Sequence, residues 1–135
     1  MARKRKQRNR IEGPFVPITY EMMDSKAFKK LNAAALKTLI LSFRKVKTNN
    51  LIDRYQTQFT FTYPEAAKHG LGHSSFSRAL KELIEIGFID CVSKGGMRFE
   101  GNACSQYRLS KRWEKYGTHG FEKKWPGHCE SVHGK

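Results

Sequence analysis

Acidic residues are scarce in this 135-residue chain: 12 Asp and Glu stand against 26 Lys and Arg, a formal charge of +14 at pH 7. So basic a surface draws polyanions. No apolar run is long enough to span a bilayer, and the basic N-terminus is not followed by the apolar stretch of a secretory signal. These absences argue against a membrane partner and leave nucleic acid, met in the cytoplasm, as the expected one. Cysteine is sparse as well. Cys91, Cys104 and Cys129 are odd in number and widely spaced, which argues against a disulfide framework, suits a reducing compartment and leads us to expect free thiols. There is no phosphate-binding glycine loop, no repeated metal-ligand motif and no nucleophile elbow. The chain is therefore expected not to be an enzyme, and to need neither cofactor nor small-molecule substrate.

What is present centres on residues 62–88, TYPEAAKHGLGHSSFSRALKELIEIGF, whose pattern predicts two helices joined by a glycine-bearing turn. Thr62 and Glu65 have the spacing of a capping box, and Pro64 falls in the first turn, where proline is tolerated. Gly70 is placed to close the first helix. The second helix begins near Ser74 or Ser75, and Phe76, Ala79, Leu80, Leu83 and Ile84 recur at three- and four-residue spacing, a core-facing stripe. Ser75, Ser77, Arg78, Lys81, Glu82 and Glu85 fall on the opposite face, hydroxyls and cations first, acids later.

That polarity suits a recognition helix entering a major groove by its N-terminal turns, where amides meet phosphates and long cations reach base edges. Ser74, Ser75, Ser77, Arg78 and Lys81 are the candidate contacts. The plainer alternative is that Ser74 is only a cap, and Arg78 with Lys81 only a solvated face.

Three regions divide the chain. Residues 1–13 form a basic arm carrying Arg3, Lys4, Arg5, Lys6, Arg8 and Arg10; it is expected to be disordered and either to track phosphates or merely to solubilise. Residues 14–113 form the working domain. It starts with an apolar lead-in (Phe15, Val16, Ile18, Met22), then a short helix capped by Asp24 or Ser25. Next comes a scaffold helix capped by Asn32, over residues 33–46, with Ala35, Leu36, Leu39, Ile40 and Phe43 on one side. The alternation ending in Phe59 and Phe61 predicts a strand with both rings in the core, although such a pair could also stack on single-stranded nucleic acid. After Gly87, residues 88–93 and 106–109 predict a hairpin with a basic tip. Its Lys94 and Arg98 would touch a sugar-phosphate backbone. Residues 114–135 form a polar tail. Its His128, Cys129 and His133 are only a fragment of a zinc pattern, so no metal is expected.

The order helix, strand, helix, helix, strand, strand is that of a winged helix. The expected fold is thus α+β: a winged helix-turn-helix, made of a three-helix core with a small antiparallel sheet and wing, preceded by an extra lead-in helix. The chain also resembles the small bacterial winged helix-turn-helix proteins of phages, plasmids and integrated elements, which are similar in layout to the DNA-binding domains of plasmid replication initiators. The resemblance covers residues 14–111. It rests on Phe15-Val16, Met23-Asp24-Ser25-x-Ala27-Phe28, Asn49-Asn50, Glu65-Ala66-Ala67, residues 77–83 (SRALKEL), Gly87-Phe88-Ile89 and Tyr107-Arg108-Leu109-Ser110. It implies double-stranded DNA as partner, in transcription regulation or replication of a mobile element. No heptad run announces a dimer, yet a homodimer would suit paired half-sites. Two rival readings are an RNA-binding protein using the arm with Phe59, Phe61, Tyr107 and Trp125, and a winged helix for protein interaction.

Overall fold

The computed structural model describes residues 13–46, 51–94 and 104–124; for Leu51, Ile52, Lys94, Cys104 and Ser105 it describes the backbone only. The sequence readings of the basic arm, Arg98, Trp125 and the His128–His133 tail lie outside the described residues.

Polar caps punctuate the first third of the chain. Thr19 accepts from the Met22 amide at 3.2 Å and starts α1, Tyr20–Met23. Ser25 accepts from the Phe28 amide at 3.1 Å and starts α2, Lys26–Lys30. Asn32 accepts from the Ala35 amide at 2.9 Å and starts α3, Ala33–Lys45. Each cap satisfies an amide that the first turn leaves without a partner. The short helix expected after Asp24 or Ser25 is α2, and the apolar lead-in before it, expected to be extended, contains α1.

The buried side of α3 differs in part from the expected stripe. Ala35, Leu39 and Phe43 are buried, but they are joined by Thr38 and Ser42, while Leu36 and Ile40 are only half-buried. The two hydroxyls tolerate burial because each donates to a carbonyl four residues back, Thr38 to Ala34 and Ser42 to Thr38, both at 2.8 Å. α3 packs against α6, His73–Ile86.

Ahead of the expected strand, residues 51–54 form a short helix, α4 (Leu51–Arg54). Arg54 is buried, its guanidinium 4.9 Å from the Phe43 ring centroid, a cation held against an aromatic face. The strand that follows, β1, is only Gln58–Phe59. Phe59 and Phe61 both point into the core, at 6% exposure each.

One sheet completes the α+β fold. β2 (Ile89–Lys94) and β3 (Cys104–Leu109) pair antiparallel with Ile89 opposite Leu109 and Cys91 opposite Tyr107; β1 pairs with the other edge of β3, giving the order β1-β3-β2. Cys91 is disulfide-bonded, which corrects the expectation of free thiols and removes the cysteine argument for a reducing compartment. Core rings meet at Phe61, just after β1, and Phe76 of α6, 4.8 Å between centroids, and within the sheet at Phe59 and Tyr107, 5.9 Å apart.

Candidate nucleic-acid interface

Two helices present the candidate surface. α5, Tyr63–Lys68, opens on the capping box expected of Thr62 and Glu65: the Thr62 hydroxyl accepts from the Glu65 amide at 3.3 Å, and the Glu65 carboxylate accepts from the Thr62 amide at 3.0 Å. Glu65 also receives Lys45 of α3 at 2.7 Å. That bond first, and the Thr62 amide second, hold the carboxyl below the usual carboxylate range. Residues 69–72 then turn the chain, with Gly70 at φ +87°, into α6.

α6 starts one residue before the earlier of the two expected positions. Its N-cap is Gly72, with no side-chain cap, so Ser74 lies inside the helix and does not cap it. The exposed amides of this turn keep their positive field, and no acid sits in it to offset that field. His73 stacks on Tyr63 at 3.8 Å and 8°, bracing the start of α6 against α5. The expected core stripe of α6 is buried throughout, whereas the expected polar face is exposed only in part, Ser75, Ser77 and Glu82 being half-buried. Phe76, Ala79, Leu80, Leu83 and Ile84 are buried, while Ser74, Arg78, Lys81 and Glu85 are exposed, with Ser75 and Ser77 half-buried. Neither Arg78 nor Lys81 pairs with an acid among the described residues.

Beside this face runs an open groove of about 1170 Å³, lined by Ser75, Arg78, Lys81, Glu82 and Glu85 of α6, by Lys30 and Asn32 before α3, and by Tyr116, Thr118, Phe121 and Lys123. Lys30 and Lys123 were not among the sequence candidates. They add two cations to a lining that already holds Arg78, Lys81 and the two glutamates of α6. The aromatics Tyr116 and Phe121, edge to face at 5.3 Å, could have flagged residues 116–123 as a docked wall.

That wall is anchored by one arginine in the 3₁₀ turn Arg112–Lys115. Its guanidinium meets Asp90 at 2.7 Å, and donates to the carbonyls of Ile84 at 2.8 Å, Ile89 at 3.2 Å and Glu122 at 2.9 Å. Both charged side chains are nine-tenths buried. Lys124 approaches the same carboxylate at 3.6 Å. The described part of the C-terminal region, residues 114–124, is therefore pinned to the end of α6 and the start of β2.

Of the remaining candidates, Lys94 ends β2, at the strand end where a wing would begin. Arg98 and Arg3, Lys4, Arg5, Lys6, Arg8 and Arg10 fall outside the described residues, so the structure brings together only the α6 members of the set. Among the described residues no group of three or more His, Cys, Asp or Glu is arranged to hold a metal ion, and no helix is long and apolar enough to cross a membrane. Comparison with protein-family models, with curated proteins and with solved structures returns no match.

Proposed function

We propose that this chain is a non-enzymatic, duplex-DNA-binding winged-helix protein, acting in the cytoplasm in transcription regulation or replication of a bacterial mobile element. The observation that carries the reading is the outer face of α6. An uncapped helix start, exposed Ser74, and exposed Arg78 and Lys81 without acidic partners among the described residues share one face, with Ser77 at its edge, on a chain of net charge +14. The order of elements and the three-stranded sheet β1-β3-β2 are compatible with a winged helix, in which α3, α5 and α6 are the three-helix core and the β2–β3 connection the wing. Ser74, Ser77, Arg78 and Lys81 read the major groove, with Ser75 at its margin. Lys94, Arg98 and the arm touch backbone.

The RNA reading loses part of its support. Phe59, Phe61 and Tyr107 are 6%, 6% and 4% exposed, so these rings offer no face to an unpaired base.

In vitro selection from random duplex DNA with the full chain tests the proposal, and an enriched motif is the expected result. A palindromic motif would also point to a homodimer. On that motif Arg78→Ala weakens binding by about 1–3 kcal/mol and relaxes specificity, while random duplex is affected much less. Equal losses on both would remove Arg78 from base reading. Failure to bind any duplex at physiological salt would sink the proposal and favour the protein-interaction reading.

A further inference from the structure

We propose that a second cationic groove, between the C-terminal half of α3, β1 and α5, holds a nucleic-acid phosphodiester backbone separately from α6. The inference rests on the nucleic-acid reading above and extends it to a surface that reading does not use.

Helical spacing builds the groove. Leu41, Arg44 and Lys45 lie three and four residues apart and so share a face of α3. That face looks onto Glu65, Lys68 and His69 of α5 and its C-cap, across an open space of about 600 Å³ floored by β1. No residue of α6 lines it. Lys37, one turn before Leu41, extends the positive charge along α3: its ammonium lies 3.2 Å from where a Cβ on Gly70 would stand, at the turn leading into α6.

Charge accounting decides the kind of ligand. Among the described residues Glu65 is the one acid in the lining, and both of its oxygens are engaged, Oε2 by Lys45 at 2.7 Å and Oε1 by the Thr62 amide at 3.0 Å. The Lys45–Glu65 pair is neutral as a unit. Arg44 and Lys68 remain, both exposed and neither paired with an acid among the described residues. Exposed Gln58 on β1 and Thr60 just after it add hydrogen-bond donors. Two uncompensated cations along an open, polar trough suit a linear polyanion. An acidic peptide adding to the sheet edge is the weaker fit, because β1 has only two residues to pair with it.

The test uses the full chain and a long duplex, with affinity measured against salt concentration. Arg44→Gln combined with Lys68→Gln should reduce the slope of log affinity against log salt by about 2 and weaken binding about tenfold or more at fixed salt, alike on selected and random sequence. Arg44→Lys should keep the slope, since a phosphate contact of this kind needs the charge and not the shape. Urea unfolding of the double variant should match the parent, as expected of exposed side chains. An unchanged slope in the double variant, with Arg78→Ala still weakening binding, would overturn the second site and leave α6 as the interface. Absence of duplex binding by the parent chain would overturn both.

Discussion

The α5–α6 pair and the C-terminal wall at residues 116–123 border the same groove, yet opposite means hold them in place. The pair is built from local signals: a capping box at Thr62, an apolar stripe on α6, and a glycine at its end. The wall depends on one buried guanidinium whose partners, Ile84, Ile89, Asp90 and Glu122, come from 28 residues before it to 10 after. Losing a purely local device such as the Thr62 cap disturbs one helix end. Losing the hub takes the closest partner from Asp90, with Lys124 left at 3.6 Å, and strands several acceptors at once.

The largest effect should therefore come from Arg112→Ala. Removing one member of a buried ion pair typically costs about 3–5 kcal/mol, and the Lys124 ammonium left at 3.6 Å from Asp90 makes up only part of that loss. Urea unfolding should show this loss, a large share of the roughly 5–15 kcal/mol that holds a domain. Replacing both Arg112 and Asp90 by apolar residues of similar size should cost less than Arg112→Ala alone. If Arg112→Ala left stability within about 0.5 kcal/mol of the parent, as a surface substitution would, the contrast between wall and pair would collapse.

Gly87→Ala comes next, at the point where the two regions touch. Gly87 ends α6 at φ +107°, donates its amide to the Leu83 carbonyl at 3.1 Å, and accepts from the Trp113 amide at 3.0 Å. A Cβ here would stand 2.7 Å from that Trp113 nitrogen and 2.9 Å from the carbonyl carbon of Arg112. Left-handed strain and overpacking each cost about 1–3 kcal/mol, so a loss of roughly 3 kcal/mol is expected in thermal or urea unfolding. A neutral Gly87→Ala would mean that the wall can shift away from α6 without penalty.

The same contrast explains what could be read in the sequence. The Thr62–Glu65 capping box and the Gly87 amide bond to Leu83 are short-range devices whose partners sit within a few residues, and the buried positions of α6 follow from its period alone. Thr38 and Ser42 escaped notice because a hydroxyl that bonds its own helix backbone looks, in sequence, like a surface residue. Arg112 sits in the run Lys111-Arg112-Trp113-Glu114-Lys115, whose composition resembles solvated chain. Only the fold brings Asp90 to it. The candidate interface was legible on α6, where period and polarity coincide, and illegible at Lys30 and Lys123, which long-range packing delivers to the groove. The disulfide at Cys91 was missed for a different reason: counting cysteines weighs a framework of many bridges, not one bond in a strand.

Thr62→Ala should cost about 1 kcal/mol, within the usual range of about 0.5–2 for loss of an N-cap, and α5 alone should fray. Hydrogen exchange would then rise in α5 and leave the amides of α6 next to the wall unchanged. Exchange rising equally in both would mean that pair and wall unfold together.

The smallest effect, and the most direct on the pair, is the pH dependence of Glu65. Its carboxyl is depressed in the folded chain, first by the Lys45 hydrogen bond and then by the Thr62 amide. Between the folded and unfolded values the unfolded chain binds more protons, so the contribution is complete above the unfolded value and is lost as pH falls through the folded one. Both partners of the carboxylate are solvent-accessible, Lys45 at 27% and Glu65 at 42% of the side chain, so screening keeps the effect modest and salt should reduce it further. Glu65→Gln should remove this part of the acid-induced loss of stability. If the parent and Glu65→Gln lost stability in parallel as pH fell, the carboxylate would be contributing nothing to the α5 start beyond what an amide provides.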